Sequence, residues 1–139
     1  MSKPITPLVA VDAVIRFKET SIVLIRRKNP PFRGELALPG GFVDVGESVE
    51  DACIREAYEE TNIKVTIKKL IGVFSDPSRD PRGHTIAVAF LCEPLTDSEK
   101  PKAKDDAQSL EIVKITDIPS TKLAFDHKDI IEASGIIKN

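Results

Sequence analysis

Residues 41–63 read Gly-Phe-Val-Asp-Val-Gly-Glu-Ser-Val-Glu-Asp-Ala-Cys-Ile-Arg-Glu-Ala-Tyr-Glu-Glu-Thr-Asn-Ile, and this stretch decides the fold. A glycine-containing turn leads to Ser48, which favours the position just before a helix, and Asp51 follows in a capping-box arrangement. From Val49 onward, apolar residues recur at the spacing of a helix. The apolar stripe consists of Val49, Ala52, Cys53 and Ala57. The stretch therefore predicts a turn followed by an amphipathic helix.

The predicted helix carries glutamates on one face. Glu56, Glu59 and Glu60 are related by i, i+3 and i+4 spacing, so their side chains share one edge. Like charges at these spacings destabilise an isolated helix. One interpretation is a solvated acidic face. The other is a site for a hard divalent cation such as Mg²⁺ or Mn²⁺, because such ions prefer oxygen ligands.

The same stretch resembles the Nudix box, which has the pattern G-x5-E-x7-R-E-U-x-E-E-x-G-U, where U is an aliphatic residue. The matching positions are Gly41, Glu47, Arg55, Glu56, Glu59, Glu60 and Ile63. Ala57 is a small residue at an aliphatic position, and Asn62 replaces the last glycine. That glycine would lie just past the helix, where a left-handed backbone is common and Asn is the next-best residue. So many matching positions favour the cation site over the acidic face.

The resemblance implies hydrolysis of a pyrophosphate bond by water, with Mg²⁺ as cofactor and Mn²⁺ as a substitute. Positioning and charge neutralisation would then supply most of the catalysis. We predict Glu56 and Glu60 as the main metal ligands and Glu59 as a third. The resemblance also implies that the carbonyl group of Gly40 faces the metal. Gly41 is predicted to let the substrate approach the backbone.

Two further catalytic roles follow from the resemblance. Arg55 is expected to hold Glu47 and so to fix the loop before the helix, and Arg55 can also pair with the glutamate one turn later. The general base stays open between a glutamate of the box and an acid of a later loop. The candidates in later segments are Asp105, Asp106 and Glu111.

Basic residues outside the box are candidates for substrate binding. Arg27 lies in an Arg-Arg-Lys run at the end of a predicted strand, where it is either a solubility charge or a clamp for phosphate. Arg79 and Arg82 lie in the proline-containing loop 75–84. Their forked donors suit phosphate or ribose, and the alternative is that they are solvated loop charges.

The rest of the chain alternates between strands and helices. Strands are predicted over 8–17, 22–25, 64–74, 85–92 and 109–115, with a short strand before the glycine pair. A second helix is predicted to end near Ser134, with Asp126 as its N-cap. His127 is assigned to that helix N-terminus and His84 to a strand end. This order predicts an α/β or α+β fold with a mixed sheet, and the resemblance implies a single α/β/α sandwich domain over residues 1–139.

Composition and charge exclude several classes of function. The 139 residues are 41% hydrophobic and 30% charged, which is typical of a soluble globular domain with a real core. A net charge of −2 gives no case for a nucleic acid or an anionic membrane as partner. Cys53 and Cys92 lie in apolar surroundings and are expected to be reduced core residues, which fits the cytoplasm. We expect a small nucleotide as partner and, by analogy with the family, a homodimer.

Several segments resemble the ADP-ribose pyrophosphatase branch of the family. They are residues 36–44, the loop 75–84 with Pro77, Asp105-Asp106-Ala107, and Phe125-Asp126-His127. Ile112-Val113 stands where such relatives often have an aromatic pair, which removes one stacking surface for adenine. The implied reaction converts ADP-ribose to AMP and ribose 5-phosphate. The alternatives are hydrolysis of oxidised nucleoside triphosphates, which would sanitise the nucleotide pool, and a non-catalytic ADP-ribose sensor. The intact glutamates argue against the sensor.

Overall fold

The computed structural model describes residues 3–104 and 107–137. The elements are β1 (Leu8–Phe17), β2 (Ser21–Arg27), β3 (Leu36–Ala37), β4 (Gly40–Phe42), α1 (Val49–Thr61), β5 (Val65–Phe74), β6 (Thr85–Pro94), β7 (Ala107–Lys114), a 3₁₀ helix (Ile115–Ser120) and α2 (His127–Ala133). The predicted strands and both predicted helices are confirmed, with small shifts at their ends. The 3₁₀ helix was not predicted, and the glycine pair forms a short strand rather than only a turn.

The strands form one mixed sheet in the order β3-β2-β1-β6-β5, with β4 paired to β1 and β7 paired to β2. The β1–β6 pair is parallel, whereas the other pairs are antiparallel. The predicted hairpin of β1 and β2 is present, with Arg16 opposite Ile22. In the β1–β4 pair, Asp12 lies opposite Gly40. This register brings the glycine pair to the strand at the centre of the sheet.

The two helices belong to cores on opposite faces of the sheet. Val11, Ala13 and Ile15 of β1 belong to the core that α1 covers. Val14 belongs to the other core, together with Ile130 of α2. Successive side chains of a strand point to opposite faces, so β1 contributes to both cores. This layering confirms the predicted α/β/α arrangement.

Both ends of α1 follow the local sequence. The hydroxyl group of Ser48 accepts a hydrogen bond of 3.1 Å from the backbone N–H of Asp51. Asn62 adopts a left-handed backbone with φ of 63°, and its N–H donates to the carbonyl group of Tyr58. Asn therefore occupies the conformation that the glycine of the box pattern would take.

The two cysteines are buried between α1 and β6. Their Sγ atoms are 3.8 Å apart and both thiols are free, as predicted. The contact with Cys92 and burial both raise the pKa of Cys53, so this thiol stays protonated and packs as a small apolar residue. Within residues 3–104 and 107–137, neither helix has the length and apolar character needed to cross a membrane.

Candidate active site

A cleft of about 370 Å³ collects most of the predicted site residues. Parts of β1, β4, α1 and the loop 75–84 form its walls. The acidic lining residues are Asp12, Asp44, Glu56, Glu60 and Asp80. The basic lining residues are Arg27, Lys28, Arg79 and Arg82, and Gly40 and Gly41 also line it. Residues that are distant in the sequence thus surround one space of the size of small-molecule sites.

Arg55 is the centre of an ionic group that we call the Arg55 cluster, formed by Glu47, Arg55, Glu56 and Glu59. Its Nε donates to Glu47 Oε2 at 2.7 Å, and its Nη1 donates to Glu56 at 2.8 Å and Glu59 at 3.1 Å. Its Nη2 also donates to the carbonyl group of Phe42 at 3.1 Å. The Arg55 guanidinium holds the pKa of Glu47 at about 2. The contact expected between Arg55 and Glu47 is present, and it ties the loop before α1 to the helix.

The two glycines allow the backbone to approach the carboxylates of α1. The N–H of Gly40 donates to Oε1 of the buried Glu60 at 3.2 Å. A Cβ atom at Gly41 would lie 2.5 Å from the Glu56 carboxylate. Glu59 is outside the cleft lining, is 42% exposed, and is held by Arg55. The structure therefore brings Glu56 and Glu60 into the cleft and leaves Glu59 at its margin.

The residues of the cleft supply part of the ligand set of a hard divalent cation. Glu56 and Glu60 offer carboxylate oxygens, which are the ligands that Mg²⁺ prefers. In the part of the chain that the structure describes, no three Asp, Glu, His or Cys side chains are arranged as ligands around one point. Mg²⁺ commonly takes one or two carboxylates and completes its shell with water and substrate phosphates. This donor set suits that mode of binding.

A second polar group lies at the base of the cleft and was not predicted. We call it the buried cluster, and it consists of Asp12, Arg79, Asp126 and His127. Arg79, whose side chain is 5% exposed, donates from Nε and Nη2 to the two oxygens of Asp126 at 2.8 and 2.6 Å. Its Nη2 is 3.9 Å from Asp12 Oδ2, and His127 Nε2 is 3.5 Å from Asp12 Oδ1. The cluster joins β1, the loop 75–84 and the start of α2.

The hydrogen bond to His127 defines its tautomer. The backbone N–H of Leu38 donates to Nδ1 at 2.9 Å, so Nδ1 carries a lone pair and the ring proton is on Nε2. Burial lowers the pKa of His127, although Asp12 opposes this effect. Burial also raises the pKa of Asp12, against the attraction of His127 and Arg79. His127 is therefore a neutral imidazole whose N–H faces Asp12.

The predictions for the start of α2 were partly wrong. Asp126 precedes the helix, but its side chain makes no capping hydrogen bond, because both of its oxygens accept hydrogen bonds from Arg79. His127 is the first residue of α2 as expected, yet its ring bonds to the backbone before β4. His84 stands at the start of β6, with Nε2 3.0 Å from the carbonyl oxygen of Ser75, as expected of a strand-end histidine.

The arginines at the rim of the cleft lie against phenylalanine rings. The guanidinium carbon of Arg82 is 5.5 Å from the Phe42 ring centre and 5.7 Å from that of Phe125. That of Arg27 is 5.0 Å from the Phe125 ring. Arg82 also donates from Nε and Nη2 to Asp80, at 3.1 and 2.8 Å. Ring contacts and ion pairs hold these cations in place.

Of the candidates for a base in the later segments, Glu111 lies in the described part of the chain, and it is not brought to the cleft. Glu111 lies on β7, forms an ion pair with Arg26, and is outside the lining of the cleft. Asp105 and Asp106 lie outside the described residues. Among the described carboxylates, the lining of the cleft thus contains Glu56 and Glu60 of α1, Asp44, Asp80 and, on the floor, Asp12. Asp12 was not predicted as a site residue, because it is a single acid in an apolar strand and no motif surrounds it.

Comparison with known proteins defines the class. The model of the NUDIX domain matches residues 6–133, and the chain belongs to the Nudix family. An ADP-ribose pyrophosphatase of Methanocaldococcus jannaschii is 49% identical over 91% of this chain and 72% of its own length. The predicted resemblance to that branch is therefore confirmed.

Two solved structures resemble the fold described above. A MutT/nudix family protein from Enterococcus faecalis has a TM-score of 0.82 and 30% identity, and the match covers 96% of this chain and 62% of that protein. The NUDIX domain of NrtR from Shewanella oneidensis, solved as a complex with ADP ribose, has a TM-score of 0.82 and 27% identity, with 94% and 87% covered. The predicted α/β/α fold agrees with both.

Proposed function

We propose that this Nudix hydrolase cleaves the pyrophosphate bond of a nucleoside diphosphate linked to a second group, with Mg²⁺ as cofactor and Mn²⁺ as a substitute. The preferred substrate is ADP-ribose, which yields AMP and ribose 5-phosphate. The observation that carries the proposal is the cleft itself, because it combines Glu56 and Glu60 with Arg27 and Arg82 around one space. The identity of 49% to an ADP-ribose pyrophosphatase supports the choice of substrate.

The acidic side of the cleft would hold the metal. Glu56 and Glu60 are the main ligands, with the carbonyl group of Gly40 beside them. A divalent ion bound there supplies neutralisation of the charge on the diphosphate oxygens. Arg55 holds Glu56 by the hydrogen bond of 2.8 Å and so restricts its rotamers. Glu47 holds Arg55 in turn, at 2.7 Å, and acts through it.

The basic side would bind the substrate. Arg27 and Arg82 offer planar guanidinium groups that match the oxygens of a diphosphate. Phe125 contacts both of them and keeps their planes in place. Arg79 and Arg82 each use two nitrogens for an aspartate, but the side chain of Arg79 is 5% exposed and that of Arg82 is 46% exposed. We therefore assign Arg79 the positioning of the loop 75–84. Gly41 has no side chain, so the substrate can approach the backbone there.

The base that activates water remains a proposal with alternatives. Glu56 lines the cleft, Glu59 is within reach of solvent beside it, and Asp106 is the acid proposed from a later loop. Single substitutions to Asn or Gln, followed by the pH profile of kcat, would separate them. The true base is the residue whose loss removes the acid limb of that profile.

The remaining assignments are expectations of the same proposal. The chain is taken to act as a single domain over residues 1–139, as a homodimer, in the cytoplasm, on a small nucleotide and without a nucleic acid or membrane partner. Light scattering on the purified protein measures the oligomeric state, and a monomer at micromolar concentration would remove the dimer from the proposal.

A substrate panel tests the function. ADP-ribose, ATP, dGTP, oxidised dGTP and NADH are assayed at equal Mg²⁺, and ADP-ribose is expected to have the highest kcat/KM. If a triphosphate is preferred by about tenfold, roughly 1.4 kcal/mol of transition-state stabilisation, the sanitising function replaces the proposed one. Binding of ADP-ribose without turnover of any compound would instead support the sensor.

A further inference from the structure

Asp12 differs from the other buried or half-buried carboxylates of the cleft. Glu56 accepts a hydrogen bond from Arg55 at 2.8 Å, and Glu60 accepts one from Gly40 at 3.2 Å. Asp80 accepts one from the backbone of Arg82 at 2.9 Å. The side chain of Asp12 is only 10% exposed, yet no hydrogen bond reaches it from residues 3–104 and 107–137. Its nearest side-chain donors, on His127 and Arg79, are 3.5 and 3.9 Å away.

The oxygens of Asp12 open onto the cleft. In the described part of the chain, no fully buried side-chain nitrogen or oxygen lacks a hydrogen-bond partner. The unbonded Asp12 oxygens are therefore not sealed in the core, and Asp12 is one of the lining residues. A buried acceptor that receives no hydrogen bond is unfavourable, and a ligand that donates to it relieves this cost.

The surroundings also restrict where the carboxylate can move. A Cβ atom at Gly40 would lie 2.7 Å from Asp12 Oδ1, so only glycine fits opposite this side chain. The N–H of His127 faces the same oxygen, and Arg79 stands beside the other. Arg79 is itself held by Asp126, at 2.8 and 2.6 Å. The acceptor is thus placed before a ligand arrives.

The carboxylate of Asp12 favours ligands that carry hydrogen-bond donors. A carboxylate in a poorly solvated site repels phosphate oxygens and accepts hydrogen bonds from neutral donors. In a nucleoside diphosphate sugar, the diphosphate and the sugar differ in whether they can donate hydrogen bonds to a carboxylate. The diphosphate oxygens are acceptors and suit Arg27 and Arg82, whereas the sugar offers hydroxyl donors. A triphosphate has only further acceptors in place of the sugar.

We propose that Asp12 is a specificity-determining residue that accepts hydrogen bonds from hydroxyl groups on the non-nucleoside half of the substrate. It favours a nucleoside diphosphate joined to a sugar and disfavours a nucleoside triphosphate. This inference rests on the proposed function, since it requires hydrolysis at the diphosphate, and it names the class of the second group from this chain's own residues.

The test uses two substrates that share the diphosphate and differ in the sugar. They are ADP-ribose and the β-methyl ester of ADP, which has no hydroxyl donors beyond the diphosphate. The wild-type protein is expected to prefer ADP-ribose in kcat/KM by roughly tenfold or more, because a site built for a hydroxyl group rejects an analogue that lacks it. A wild-type ratio near one overturns the inference, whatever the variants do.

The variant Asp12→Asn separates specificity from structure. We expect the preference for ADP-ribose to fall toward one, mainly through a higher KM, while kcat/KM for the methyl ester stays close to wild type. Turnover of ATP should rise, since the repelling charge is gone. Asp12→Ser serves if the Asn variant does not fold, and Asp117→Asn on the 3₁₀ helix is the control for loss of an acid.

Each outcome has one meaning. A parallel loss of kcat/KM for all substrates shows that Asp12 supports only the structure, and the inference is wrong. Hydrolysis of both diphosphates with equal efficiency leaves the proposed function standing and removes the inference. Hydrolysis of neither compound by the wild type overturns the proposed function and the inference with it.

Discussion

The Arg55 cluster and the buried cluster handle charge in different ways. The Arg55 cluster lies within residues 47–59, and its members meet at the surface of one helix and the loop before it. The buried cluster draws on β1, the loop 75–84 and α2, and Arg79 at its centre is 5% exposed. Because the side chain of Arg55 is 27% exposed, water reaches the centre of the first cluster more easily than that of the second. Substitutions should therefore affect mainly activity in the first and mainly stability in the second.

The largest expected effect concerns Glu56 of the Arg55 cluster and Glu60, which follows it by one turn on the same helix. Glu56→Gln and Glu60→Gln should each lower kcat by roughly 10³-fold with little change in melting temperature, because the shape is kept and the charge that neutralises a cation is lost. Steady-state kinetics with ADP-ribose at saturating Mg²⁺ measures this. Glu50→Gln, in the exposed first turn of the same helix, is the control. Near-normal turnover of both variants would remove the metal assignment.

The second effect tests the buried side of the comparison. Arg79→Ala should lower the free energy of unfolding by about 3 to 5 kcal/mol, because it leaves Asp126 and Asp12 without their cation. The control is Arg16→Ala, which removes an arginine whose Nε and Nη2 both donate to Oε2 of Glu93, at 3.2 and 2.8 Å, and whose side chain is 35% exposed. That variant should lose about 0 to 1 kcal/mol.

Urea denaturation measures both arginine variants. If Arg79→Ala unfolds like the wild type and only raises KM, then Arg79 binds substrate, as its sequence position predicts, and the two clusters do not differ in the way described.

A smaller effect on kcat is expected at Gly41, the glycine beside the Arg55 cluster. Gly41→Ala should push the Glu56 carboxylate aside, since the new Cβ would lie 2.5 Å from it, and lower kcat roughly 10-fold to 100-fold. The fold should survive, because a flexible side-chain end can move. Gly46→Ala is the control: it has open space but a φ of +89°, so it should cost about 1 kcal/mol of stability and leave kcat unchanged.

The paired measurement is kcat beside melting temperature for both glycine variants. A Gly41→Ala protein with full activity would show that the position of Glu56 is not critical.

The smallest effect is the pH dependence of the stability that the Arg55 cluster provides. The pKa of Glu47 is about 2 in the folded protein against 4.5 as its ordinary value, so the unfolded chain binds more protons between these pH values. The stabilisation by Glu47 is therefore complete above pH 4.5 and is lost as the pH falls toward 2. The difference in melting temperature between the wild type and Glu47→Gln should follow this course. A difference that disappears already near pH 6 would contradict it.

Local interactions made much of the molecule predictable. The cap at Ser48 and the left-handed Asn62 involve residues that are close in sequence, so their spacing specifies the geometry. The contact of Arg55 with Glu47 was implied by the resemblance to the Nudix box. The alternation of apolar residues likewise marked the strands. One prediction failed where a distant partner competed with a local one, because Asp126 bonds to Arg79 instead of capping α2. Glu111, one of the open candidates for the base, pairs with Arg26 on the neighbouring strand.

The sequence by itself determined the strands, the helices and the shared face of the α1 glutamates, because helical and strand periods are properties of short segments. The class of the protein and its layered fold followed from the resemblance to the Nudix box, whose positions also lie within one short segment. Only the tertiary structure decided that Arg79 is buried, that Glu59 stays at the margin of the cleft, and that Asp12 is an unbonded acceptor on the cleft floor. These facts depend on burial and on contacts between segments far apart in the chain. Burial and neighbouring charges strongly change the free energy of an ionised side chain, and the residue type alone does not reveal these surroundings.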